Sequence, residues 1–229
     1  MTRVRGVLVI GAAAWLAACS EMAGPPRLQG PLVRTDGALH QLQWRSSPVP
    51  RTFAVVRHTL TQAPGRAAGT AATLDQNEVS FWAFPNRDQA IQINYLAADG
   101  TWQPYLDFVV PAGALAQWPD GQPVAPSDSV LITAQVDTLS LVVHFQPTGL
   151  VFNSLVPARL TVWYTDANPD FDGNGAVDAT DGCIEQSLLG VWVQESGTDP
   201  WNPVTATQYL PGKLFSATLG HFSDYAVSW

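Results

Sequence analysis

Ala90-Ile-Gln-Ile-Asn-Tyr-Leu96 alternates apolar and polar side chains without a break from Ile91 to Tyr95. A helix brings side chains back to one face about every 3.6 residues and a strand every two, so this run reads as a strand with one buried and one wet face. Just upstream, Val79 to Phe84 is a second β-like run, separated from the first by Pro85-Asn86-Arg87. Further out, Leu39 to Trp44 alternates and Phe53 to Val56 is apolar, with Ser46-Ser-Pro-Val-Pro50 between them. Downstream, Tyr105–Val110, Val130–Val136, Leu139–Phe145 and Arg159–Tyr164 are strand-like, as are Gly190–Gln194, Thr205–Tyr209, Phe215–Leu219 and Tyr225–Trp229. Residues 61 to 76 have no periodicity and read as an exposed loop, and Asp178 to Leu189 is the one stretch that reads as helix. Short strands separated by turn residues specify a sandwich or barrel, not alternating βαβ units. The fold class predicted is all-β: an antiparallel β-sandwich with one short helix following a calcium-binding loop. Residues 37–100 read as an N-terminal β-rich region and 101–229 as the sandwich domain. The sequence leaves open whether the first is a small β unit of its own or adds strands to the second.

Three motifs in the second half carry a family resemblance. Phe108-Val-Val-Pro-Ala-Gly-Ala-Leu115 comes first, then Phe145-Gln-Pro-Thr-Gly-Leu-Val-Phe152 followed by Pro157-Ala-Arg-Leu-Thr-Val-Trp-Tyr164, and last His221-Phe-Ser-Asp-Tyr-Ala-Val-Ser-Trp229. In that order they resemble the β-sandwich domain of ankyrins, netrin receptors and zonula occludens proteins, over roughly residues 105 to 229. The resemblance implies a fold and a role in interaction or surface structure, and it implies no reaction.

A different chemistry sits between two of the strands. Asp170-Phe-Asp172-Gly-Asn174-Gly175-Ala176-Val177-Asp178-Ala-Thr-Asp181 places oxygen-bearing side chains at loop positions 1, 3, 5, 9 and 12, Gly at 6 and an aliphatic residue at 8. That is the pattern of Ca²⁺ loops of the EF-hand type, and it resembles dockerin loops in closing with Asp. Asp170, Asp172 and Asn174 are expected to point inward from a tight turn, the Ala176 carbonyl to supply a ligand, Asp178 to ligate directly or through water, and Asp181 to close the far side. Pro169 and the preceding strand leave no incoming helix. The exit helix is expected to face the body with Val177, Ile184 and Leu188. There is one such loop, whereas a dockerin needs two to bind its cohesin. Outside the cell, calcium near millimolar fills even the weak end of such loops, about 10⁻⁴ to 10⁻³ M, so the expected role is stabilising.

The chain opens with the signs of export. Arg3 and Arg5 give a positive start, Gly6 to Trp15 is apolar, and Leu16-Ala-Ala-Cys19 resembles the lipobox of bacterial lipoproteins. Residues 1–18 therefore read as a signal peptide, Cys19 as the lipidated residue, and the Gly- and Pro-punctuated stretch 19–36 as a flexible tether. Several acyl chains suffice for stable anchoring in a lipid bilayer. Ser20 after the Cys is similar to an outer-membrane address, so the expected location is exported and membrane-anchored, at the outer membrane or cell surface. Without Arg3 and Arg5, nine basic residues face nineteen acidic ones, which argues against nucleic acid as a partner. Charged residues make up 13% and hydrophobic ones 46%, as in a folded body and not a disordered stalk. With Cys19 lipidated, Cys183 is expected to be unpaired, a small hydrophobe on the buried side of its helix.

No residue set demands catalysis. His221, Ser223 and Asp224 suggest a hydrolytic triad, yet they lie within four residues on one strand, where neighbours face opposite ways. His40, His58 and His144 lack the paired spacing of a zinc site. Trp82, Trp102, Trp118, Trp163, Trp192, Trp201 and Trp229 could line a sugar-binding face, since sugar rings stack on flat aromatics, but aromatics are equally the packing material of a sandwich. The expected function is a non-enzymatic, membrane-anchored envelope binding or structural module stabilised by calcium, with an unknown protein or glycan partner. The alternatives are a carbohydrate-binding surface lipoprotein, or an envelope hydrolase with unidentified acidic residues.

Overall fold

The computed structural model describes residues 39–47, 51–58, 72–73 and 77–229. The expected signal peptide (1–18), the expected lipidation site Cys19, the expected tether and nearly all of 61–76 lie outside these residues. Among the described residues, seven strands form one sheet, in the order β13 (Ala206–Tyr209), β14 (Leu214–Leu219), β10 (Ala158–Trp163), β5 (Trp102–Val110), β4 (Gln89–Leu96), β1 (Phe53–His58) and β2 (Ala72–Thr73). Six form a second, in the order β12 (Asn202–Val204), β11 (Gly190–Gln194), β15 (Asp224–Ser228), β8 (Val142–Gln146), β7 (Val130–Val136) and β3 (Glu78–Ala83). Two short strands, β6 (Leu115–Gln117) and β9 (Val151–Phe152), pair with each other in a two-stranded sheet. These pairings are antiparallel throughout, and α1 (Ala179–Ser187) is the α-helix among the described residues. The protein is an all-β sandwich.

Period-two patterning explains the layering. On β7, Val130, Ile132, Ala134 and Val136 are buried, while Leu131, Thr133 and Gln135 lie on the opposite face. The two inner faces meet through aromatic rings. Phe108 of β5 packs against Phe145 of β8 with centroids 4.9 Å apart and against Phe81 of β3 at 6.5 Å. Phe222 completes the group, 4.9 Å from Phe145 and 5.4 Å from Phe108. Residues 53–96 add strands to both sheets, β1 and β4 to the larger and β3 to the smaller, and the β4–β5 hairpin runs across residue 100.

Some stretches differ from their sequence reading. Leu39–Trp44 buries Leu42 and Trp44 but makes only isolated bridges, Gln41 to Ser228, Gln43 to Ser140 and Trp44 to Ala167, because it meets three different segments in six residues. Leu139–Phe145 starts as a strand only at Val142, since the Asp137 carboxylate accepts the N–H groups of Leu139 and Ser140 and holds them in a turn. Within 61–76, read as a loop, Ala72–Thr73 forms β2 at the edge of the larger sheet, and β6, β9 and β12 are likewise too short to show a period. Near one end of the sandwich Trp44 packs on Tyr105 at 4.8 Å, and the Arg51 guanidinium lies 4.6 Å above the Trp44 ring while pairing with Asp166. That ion pair fixes the chain as it leaves β10 for the acidic loop.

Candidate metal centre and polar sheet face

β10 delivers the chain to the loop and α1 takes it away. Gly175 sits at φ +87°, in the left-handed region that glycine enters without steric cost, and there the turn reverses. Both Asp170 oxygens accept backbone N–H groups, from Asn174 at 3.0 Å and Gly175 at 2.9 Å. Asp172 accepts the Asn174 N–H at 3.1 Å and the Asn174 side-chain Nδ2 at 2.9 Å. Asp181 is 2% exposed and reaches back across the loop. Its Oδ1 accepts from Phe171 at 2.6 Å and its Oδ2 from Asp178 at 2.8 Å. The N–H groups of Asp178, Phe171 and Asp172 hold its carboxyl below the usual carboxylate range, against the opposing effect of burial.

One oxygen from each of Asp170, Asp172 and Asp181 lies within 4.8 Å of the others. Oxygens sharing one Ca²⁺ at about 2.3–2.6 Å are at most about 5 Å apart, so the three carboxylates fit a single ion. Each oxygen already bonded to an N–H keeps a second lone pair for a cation. The other expected ligands are placed differently. Asn174 turns its Nδ2 toward Asp172, and its Oδ1 accepts from Ala176 at 2.8 Å. Asp178 is the N-cap of α1, accepting from Thr180 at 2.7 Å in a capping box with Asp181.

Two expectations about the helix are corrected. Val177 is 65% exposed and does not face the body; Ile184 is buried and Leu188 packs against the core. Val177 precedes the Asp178 cap and so lies outside α1 and its buried face. Cys183 is half-buried and disulfide-bonded, where an unpaired thiol was expected. The loop is also tied to the sandwich, as Trp229 donates its indole N–H to the Phe171 carbonyl at 3.1 Å and stacks on His40 at 4.6 Å.

The three residues that suggest a triad do not assemble one. His221 Nε2 meets both Glu195 carboxylate oxygens at 2.8 Å, and Ser223 donates its hydroxyl to Glu195 Oε2 at 2.8 Å. Ser223 is wholly buried, and its proton points at a carboxylate and not at an imidazole. Asp224 instead pairs with His144 Nδ1 at 2.9 Å. Glu195 was missed in the sequence because only the folded loop after β11 brings it to His221. Nor do the seven tryptophans share a face. Trp82 and Trp102 are exposed, on different sheets, while Trp192 is buried and Trp118 and Trp229 pack against the core.

The hydrogen bond to Asp224 raises the His144 pKa above its ordinary 6.5, opposed by burial and helped by the charges of Asp224 and Asp137. A raised histidine pKa adds stability that is complete below the unfolded value and lost as pH rises through the folded one. Wild type should therefore lose stability relative to His144→Gln as pH rises from about 6.5 upward, measured by urea unfolding. Parallel curves for the two proteins would show that the pair contributes nothing.

A scan against protein-family models finds no match to this chain, and neither the curated proteins nor the solved structures searched contain a match.

Proposed function

We propose that the protein is a non-enzymatic, membrane-anchored binding or structural module of the cell envelope, with one Ca²⁺ ion held in the loop 170–181. The observation that supports this best is the convergence of Asp170, Asp172 and Asp181 within 4.8 Å on a tight acidic turn. Asp170, Asp172 and Asp181 would hold the ion, and Asn174, the Ala176 carbonyl and Asp178 would join by small side-chain or backbone rotations. The ion's chemistry here is electrostatic: it neutralises carboxylates that otherwise repel one another and ties the β10 exit to α1. Calorimetric titration of the full chain with CaCl₂ tests this. One site per chain is expected, lost in Asp172→Ala; equal heats for both proteins would sink the proposal.

The anchor rests on the leader and on Leu16-Ala-Ala-Cys19, and the ordered resemblance to interaction domains supports a binding role. Mass spectrometry of the N-terminal peptide, in protein recovered with the membrane fraction, tests the anchor. A chain that begins at Cys19 with acyl chains on its sulfur is the expected result, and an unmodified Cys19 would sink the anchor.

A second reading, glycan recognition, is favoured by the exposed Trp82, 53% accessible on the outer face of the six-stranded sheet.

A further inference from the structure

Strand order and register bring together side chains that the sequence keeps far apart. Glu78 on β3 is paired with Gln135 on β7, Gln135 with His144 on β8, His144 with Asp224 on β15, and Asp224 with Gln194 on β11. The partners of the β3 and β7 core residues fill the inner face, so these five lie in one row across the outer face, one from each of five adjacent strands. The next row holds Ser80, Thr133 and Gln146, with the Ser80 and Thr133 hydroxyls 2.7 Å apart. The row after that pairs Trp82 with Leu131, both exposed. An open trough of about 400 Å³ follows the first row, lined by Gln135, His144, Gln146, Thr148, Glu195 and Asp224 among others.

The chemistry of this trough selects its ligand. Its floor and walls present amides, hydroxyls, imidazole and carboxylates, with no Lys or Arg, so a polyanion would meet the Glu195 and Asp224 carboxylates without a lysine or arginine to offset them, and an apolar ligand would meet mostly polar groups. Planar amides and carboxylates at strand spacing bond vicinal hydroxyls in pairs, and an exposed indole offers a flat face for a ring. Gln135 and Leu131 are four residues apart on β7, which puts the indole of Trp82 roughly 13 Å along the sheet from the trough. That separation suits an extended chain of several rings and is too long for a single one.

We propose that the outer face of the six-stranded sheet, from the trough at Gln135, His144, Asp224 and Glu195 to the Trp82 platform, binds a neutral oligosaccharide. This rests on the reading of the protein as an envelope binding module and names the partner class of that module. Trp102, exposed on the other sheet, is the internal control.

The test uses the full chain in a non-glycosidic detergent. Intrinsic tryptophan fluorescence is titrated with neutral hexasaccharides (β-1,4-glucan, α-1,4-glucan, β-1,4-mannan and β-1,4-N-acetylglucosamine) and with an oligouronate as the charged control. Binding of at least one neutral hexasaccharide, with no oligouronate binding, is expected. Trp82→Ala and Gln135→Ala should each weaken it about tenfold, with unchanged melting temperatures, while Trp102→Ala should leave it unchanged. Loss in Trp102→Ala but not in Trp82→Ala would overturn the location, and absence of any neutral binding would overturn the ligand class. Cosedimentation of the wild type with isolated cell envelopes separates the two levels. Envelope binding without oligosaccharide binding sinks this proposal and spares the module reading; failure of both sinks both.

Discussion

Removing calcium with EDTA is expected to lower the melting temperature of the protein by roughly 5–11 °C. Saturation at about 100-fold over Kd stabilises by about 2.7 kcal/mol. For a chain of 150–250 residues each kcal/mol moves the midpoint by about 2–4 °C. Asp172→Ala is the variant of choice. Asp181 also accepts N–H groups from Phe171 and Asp178 and completes the capping box of α1, so removing it destabilises the helix with or without metal. The Asp172 carboxylate accepts from Asn174 within the loop, and its loss should leave a protein that melts near the EDTA-treated wild type and no longer responds to CaCl₂. Superimposable wild-type curves in CaCl₂ and EDTA would mean that the loop is an acidic turn held by its own N–H donors.

Phe108→Ala is expected to cost about 3–5 kcal/mol, the range for truncating a buried phenylalanine, and hence roughly 6–20 °C in melting temperature. Phe108, on the seven-stranded sheet, is fully buried and packs against Phe81 and Phe145 of the six-stranded sheet, Phe152 of β9 and Phe222 of the segment before β15. Its removal opens a void in the inter-sheet contact, where four rings held by separate segments cannot all close in. Phe108→Leu keeps most of that volume and should cost less. Trp82→Ala, on the solvent face, should stay within about 0.5 kcal/mol. Urea unfolding measures all three. A Phe108→Ala loss below about 1 kcal/mol would show that the two sheets do not depend on this ring cluster.

The sandwich was legible wherever a strand ran long enough to show its period. Val130–Val136 and Gly190–Gln194 have the bounds the alternation predicts, and Ala90–Leu96 differs by one residue at its start. The pairs β6–β9 and β11–β12 were not legible, because a strand of two or three residues contains barely one repeat. The acidic loop could be read from spacing alone, since its donors are local. What spacing could not show is that Asp178 serves the helix as its cap and that Asn174 turns its nitrogen inward. The polar row across the smaller sheet was invisible for a different reason. Glu78, Gln135, His144, Asp224 and Gln194 become neighbours only through the order β11-β15-β8-β7-β3 and its register, and no local pattern encodes either.

The clasp between His40 and Trp229 has a mechanical consequence. His40 and Trp229 exchange two backbone hydrogen bonds, 2.9 and 3.3 Å long, and Leu42 adds a third to Val227 at 3.1 Å. Tension applied along the chain upstream of residue 39 enters the body at this clasp, before it reaches any strand of the larger sheet. The Trp229 indole then hands part of that load to the Phe171 carbonyl, inside the loop that Asp181 braces from behind. A stiff loop makes the clasp a fixed bollard; a slack one lets residues 39–44 peel away while both sheets stay intact.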